Sequence, residues 1–132
     1  MELKDFTVSS ELLSEVLKLE VVKHSLFNKS SNTFNVTYIQ SEDSLKANWM
    51  PVNVYEFVFK CKDWASNLGY QIISGPSDEQ AYRKNCEQAY SEVFWYEGDD
   101  VHRTYKNELF LACTEQEAII IASEWVLSEV NK

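Results

Sequence analysis

Apolar and polar residues follow two periods along this chain, and the switches between them mark its elements. In NVYEFVFKCKDWASNL, residues 53–68, positions 57, 61, 64, 65 and 68 fall on one stripe at helical spacing. Asn53 and Glu56 form a capping box, in which each side chain satisfies an orphan backbone donor of the other, and Val52 holds the staple position before the cap. The design recurs at 114–130. Thr114 and Glu117 form the second box, and at the same offset Phe57 falls on Ala118, Cys61 on Ala122, Asp63 on Glu124, Trp64 on Trp125 and Ala65 on Val126. The second stripe is 118, 121, 122, 125 and 129. Trp64 and Trp125 are expected to be mostly buried against a sheet.

The rest of the chain reads around these two helices. Ser9 or Ser10 caps a helix over 10–19 with Leu12, Leu13, Val16 and Leu17 on its apolar face. Strands follow at 20–27 and 33–39, where Phe34, Val36 and Tyr38 alternate with polar residues, and the polar run 28–32 supplies their turn. Residues 40–48 read as a loop. After the helix at 53–68, Gly69 provides a stop, 70–74 is a strand and Gly75-Pro76 breaks it. A short helix is predicted over 77–90, with Tyr82, Cys86, Ala89 and Tyr90 at helical spacing and an extended insertion as the alternative. SEVFWYE at 91–97 is a strand, Gly98-Asp-Asp100 a turn, 101–106 part of a strand and ELFLAC at 108–113 another.

This order predicts one α+β domain, 1–132: an antiparallel sheet of about five strands with two to four helices packed mainly on one face. The two capped helices have their flanking strands in opposite order, so their likeness reads as convergent capping and not as a duplicated domain. The strand 91–97 has apolar residues on both faces and charges only at Glu92 and Glu97. As an edge it would pair across a two-fold axis in a homodimer. The middle of the sheet is preferred, with 101–113 on one side and 70–74 or the N-terminal hairpin on the other.

Charge adds a second layer. The formal net charge is -9, from 21 acids and 12 bases. Residues 1–50 hold seven acids and five bases, and residues 51–132 hold fourteen and seven, so the excess lies in the second half. Such a surface repels phosphate backbones, which disfavours direct nucleic-acid binding, and it attracts a basic protein partner. A solvated acidic face is the plainer reading. Three Gly and two Pro exclude a Gly-rich phosphate cradle, and 45% hydrophobic residues suffice for a core. Cys61, Cys86 and Cys113 are odd in number and form no CxxC, which argues against a disulfide framework or structural zinc and fits a reducing cytosol. MELKDF carries no apolar targeting segment, and the longest apolar run is 118–122, so a cytoplasmic location away from membranes is expected.

The blocks Val54-Tyr-Glu56 and Cys61-Lys-Asp-Trp64-Ala65, with Thr114-Glu-Gln-Glu-Ala118 and Glu124-Trp125, resemble those of a set of small uncharacterised bacterial and prophage proteins, and the opening ELKDFTVSSELLSEVL is similar to starts seen there. The resemblance implies a cytoplasmic, mobile-element setting and brings no activity with it.

Chemistry-bearing residues are few. Cys113 precedes a helix cap, where a thiol's pKa can fall, and His24 or His102 would be its base. Its alternation with Leu111 and Leu109 places it in the core instead, and Cys61 on its stripe reads as a small core residue. Glu97, Asp99 and Asp100 with His102 offer metal-ligating side chains, but without regular ligand spacing they read as a solvated turn. The spatial separation of these carboxylates, on which acid–base chemistry depends, is not legible in sequence. Tyr90, Phe94, Trp95, Tyr96 and Tyr105 gather at the hairpin and can line a groove or an interface. No P-loop, dinucleotide fingerprint, GxSxG or HExxH occurs, and no cofactor is implied. The leading reading is a non-enzymatic protein-interaction module with Glu97, Asp99, Asp100, Trp95 and Tyr96 at its binding site. The rivals are a small-ligand protein with an aromatic groove and a small enzyme using Cys113 or the acidic cluster.

Overall fold

A computed structural model of the chain describes residues 8–24, 32–41, 44–76, 89–103 and 110–132. Ser9 opens helix α1 (Ser10–Leu17) with an extended backbone and an Oγ that accepts the Leu12 N–H at 3.0 Å. Lys18 closes α1 in the left-handed region (φ 57°), so the helix ends at Leu17, two residues short of the expected 10–19. Three antiparallel strands follow in the order β1-β2-β3: β1 (Glu20–His24), β2 (Thr33–Ser41) and β3 (Ser44–Asn53). Phe34 pairs with Val52 and Val36 with Met50, so the period-two alternation of β2 and β3 puts Phe34, Val36 and Val52 into the core. On the opposite face Thr37 pairs with Trp49, which is exposed.

Asn53 ends β3 and caps α2 (Val54–Asn67), its side-chain Oδ1 accepting the Tyr55 and Glu56 N–H groups. Gly69 follows at φ 93°, a conformation open to glycine, and turns the chain into the second sheet. That sheet holds β4 (Tyr70–Pro76), β5 (Ala89–Glu97), β6 (Asp100–Arg103) and β7 (Phe110–Ala112). β5 is central. It pairs antiparallel with β4 on one side and with β6 and β7 on the other. Thr114 then caps α3 (Glu115–Val130) through its hydroxyl, which accepts the Glu117 N–H. α3 packs on β4, β5 and β7, and α2 packs on α3 and β4. One buried cluster joins Leu12 and Leu13 of α1, Phe34 and Val36 of the first sheet, Phe57 and Cys61 of α2, Val93 of β5 and Ile120 and Val126 of α3.

The α+β class, the antiparallel pairing, the N-caps at Asn53 and Thr114 and the central place of 91–97 agree with the sequence reading. The sheet does not. There are two sheets, of three and four strands, where about five strands in one were expected. The difference arises at 40–48. Of this stretch, expected as a loop, 40–41 end β2 and 44–48 begin β3, so β1, β2 and β3 form a meander and α2 leads away from it to a new sheet. Gly75 and Pro76 are the last two residues of β4, paired with Tyr90 and Ala89, so the strand runs two residues past the expected break, and the Tyr90 ring covers Gly75. A Cβ there would stand 3.4 Å from the ring. Trp64 and Trp125 are only partly buried. Smaller residues, Cys61 and Ala65 in α2 and Ala118, Ala122 and Val126 in α3, are the fully buried ones, and both indoles pack against this core from its margin. Leu68 and Ile121, expected on the apolar stripes, are exposed, while Ile119, Ile120, Ser123 and Leu127 widen the buried face of α3. The helix expected at 77–90 falls at 77–88 outside the described residues, as do Cys86 and Tyr105, while Ala89 and Tyr90 are not helical but begin β5, paired with β4; of the two last predicted strands only 101–103 and 110–112 are described as strand.

Candidate functional site

β5 sorts its side chains by parity. Ala89, Ser91 and Val93 are buried beneath α3, and Tyr90, Glu92, Phe94 and Tyr96 occupy the outer face. Two hydroxyls hold α3 to this sheet. Ser91 Oγ–H donates to the Ala118 carbonyl at 2.6 Å, and Ser74 Oγ–H, on the strand beside it, donates to Glu115 Oε1 at 2.7 Å. No sequence signal marks these serines, because their partners come from α3.

Of the five residues singled out from sequence, Trp95 and Tyr96 part company. Trp95 turns inward. Its ring centroid lies 5.4 Å from Trp125, 5.7 Å from Tyr70 and 5.6 Å from His102, the last nearly parallel at 15°. Phe110 and Tyr70 each lie 6.2 Å from Trp125. These rings pack on one another, with separations that favour edge and offset contact. Tyr96 turns outward and meets Phe94 edge-on at 6.2 Å. It is 62% exposed, and its cross-strand partner Val101 is 51% exposed. Ile73 of β4, 37% exposed, lies on the same face opposite Glu92 and diagonal to Phe94. Ile73 and Val101 were not legible as site residues, since only the strand register brings them to Phe94 and Tyr96.

The acids stand at the tip of the β5–β6 hairpin. Glu97 pairs with Asp100 across a two-residue loop of Gly98 and Asp99, and Gly98 takes φ 63°, the positive first position of a type II′ turn. Glu97, Asp99 and Asp100 are all exposed. Glu97 Oε2 lies 3.4 Å from His102 Nε2, and Glu97 Oε1 makes a long 3.5 Å contact with the Trp95 indole N–H. Both Glu97 and His102 are well exposed, so water screens their pairing. Among the described residues no three His, Cys, Asp or Glu side chains come together in a way that could hold a metal ion.

The thiols differ from each other. Cys61 is fully buried, and burial pushes its pKa up to about 12, with the charge of Glu124 adding to the rise and a hydrogen bond with Ser123 opposing it. It is therefore a protonated core thiol at neutral pH. A raised folded-state pKa stabilises the fold below the unfolded value, 9.0, and that stabilisation is lost as pH climbs towards about 12. Urea unfolding from pH 8 upward is thus expected to show a steeper alkaline loss in the wild type than in Cys61→Ala. Equal slopes would contradict the burial of this thiol. Cys113 was expected in the core by alternation. Its neighbour Ala112 takes the buried side instead, and Cys113 is half-buried beside the cap of α3.

Together, fold and surface define an α+β protein of two antiparallel sheets with an acidic, aromatic hairpin at one end. No protein-family model, curated protein or solved structure matches the chain. Among the described residues no helix is long and apolar enough to cross a membrane.

Proposed function

We propose that this chain is a non-enzymatic protein-binding module whose docking surface is the outer face of the β5–β6 hairpin. The observation that supports this reading is the exposed cross-strand pair Tyr96 and Val101 beside Phe94, with the carboxylates of Glu97, Asp99 and Asp100 exposed at the hairpin tip. An apolar, aromatic centre with a charged rim is the anatomy of a protein interface. Exposed rim carboxylates on a chain of net charge -9 steer a partner that carries Lys or Arg around apolar residues. The inward rings of Trp95 and Trp125 contact one another and supply packing for this surface.

A photo-crosslinking residue at Tyr96 tests the reading. It is expected to trap a basic polypeptide in a salt-sensitive manner. The triple change Glu97→Lys, Asp99→Lys and Asp100→Lys should slow association with that polypeptide roughly tenfold or more at low salt. Equal trapping by the charge-reversed protein, or by a crosslinker placed instead at exposed Trp49 on the other sheet, would refute it.

A further inference from the structure

The central position of β5 moves the exposed edge of its sheet to β4. Among the described residues nothing pairs with the other side of β4. Edge strands expose unpaired backbone donors and acceptors, and proteins blunt them with charge, internal proline or shortness. The other described edges are blunted in this way. β1 has five residues with Glu20 and Lys23, β3 carries an internal Pro51, β6 has four residues with Asp100, and β7 has three residues. β4 differs. Its seven residues, YQIISGP, hold no charge, and their one proline is the last.

We propose that β4 is a homotypic pairing edge, at which two copies of the chain join antiparallel about a two-fold axis perpendicular to the sheet. Charge selects the occupant. Residues 64–77 contain no Asp, Glu, Lys or Arg, in a chain that is 25% charged. Two copies of net charge -9 repel, so a contact between them is least costly along a neutral strip. A basic partner finds no carboxylate on β4 itself.

The register is self-complementary. An axis at Ile73 sets Ile73 against its own copy on the outer face, Gln71 against Gly75, and Ile72 against Ser74 on the inner face. No like charges oppose each other, and the exposed Ile73 is covered. Because the axis is perpendicular to the sheet, both outer faces end on one side. Two Phe94–Tyr96 strips are then presented together. The pairing itself rests on the fold alone and holds whether or not the strip binds a partner.

Light scattering on the purified chain, from about 1 μM to about 1 mM, tests this. The mass is expected to rise from 15.4 kDa towards twice that value. Ile73→Lys places two ammonium groups side by side at the axis and should hold the mass at 15.4 kDa with an unchanged circular dichroism spectrum. Ile73→Val should still dimerise. Hydrogen exchange on the wild type provides a readout free of any folding defect, because amides within 70–76 should gain protection as concentration rises. A wild type that stays monomeric throughout, a dimer unaffected by Ile73→Lys, or concentration-independent exchange in β4 would each overturn the proposal. The charge reversals at 97, 99 and 100 should not lower the mass, since they reduce the net charge and so the repulsion between copies, which separates this result from failure of the partner-binding reading.

Discussion

Replacing Phe57 with Ala is expected to lower the folding stability by about 3–5 kcal/mol, as aromatic-to-Ala truncations in cores do. Phe57 has no exposed surface, and its ring meets Phe34 of β2 edge-on at 5.8 Å. It sits one turn into α2, so it ties that helix to the first sheet just after the chain leaves β3. Removing the ring leaves a void between two elements whose backbones are fixed by their own hydrogen bonds, so little collapse can fill it. A domain of this size has about 5–15 kcal/mol in all, so the variant should be close to unfolding at physiological temperature. Urea titration followed by tryptophan fluorescence reads the loss. Phe59→Ala, two residues along the same helix and 71% exposed, is the control and should stay within about 0.5 kcal/mol of the wild type. Equal effects at 57 and 59 would mean that α2 presents a different face to the sheet.

What the sequence made legible was local. Asn53, Thr114 and Ser9 act as caps because a cap is a bargain between a side chain and the next three residues. The strand at 91–97 was visible for a similar reason, as a dense run of β-formers. The strand at 44–53 was not. SLKANWMPVN has a polar beginning and a proline, and its alternation emerges only once β2 pairs with it and sorts Met50 and Val52 inward from Trp49. The division into two sheets was hidden too, since nothing in β3 or β4 states that they do not pair. At the candidate site the aromatic and acidic residues could be named from sequence. Their faces could not be assigned until α3 covered Ser91 and Val93 and so fixed which parity of β5 is buried. Cys113 was misplaced for the same reason. Leu109 and Leu111 suggested one parity, but the helix that follows buries Ala112.

Glu124→Ala is expected to cost about 1.5–3 kcal/mol, the range for a hydrogen-bonded charge. The carboxylate of Glu124 accepts two bonds from Ser9: the backbone N–H at 2.8 Å and the Oγ–H at 2.9 Å. The same Oγ accepts the Leu12 N–H, so Glu124 orients the residue that caps α1. It also brings negative charge to the positive end of that helix's dipole. α1 has eight residues, too few to hold helical structure alone, so its order depends on such docking. Glu124→Gln keeps one acceptor and should fall between wild type and Ala. A double-mutant cycle with Ser9→Ala isolates the pair, and the two losses should be clearly less than additive. Hydrogen exchange should locate the change in α1, with the amides of β5 affected less. Asp63, which the matched caps set opposite Glu124 in α2, is exposed, and Asp63→Ala should be nearly neutral. The two helices therefore share a cap and a packing stripe, but the acid at this shared position fastens a distant segment in only one of them. Strict additivity of Ser9→Ala and Glu124→Ala would show that the carboxylate acts elsewhere.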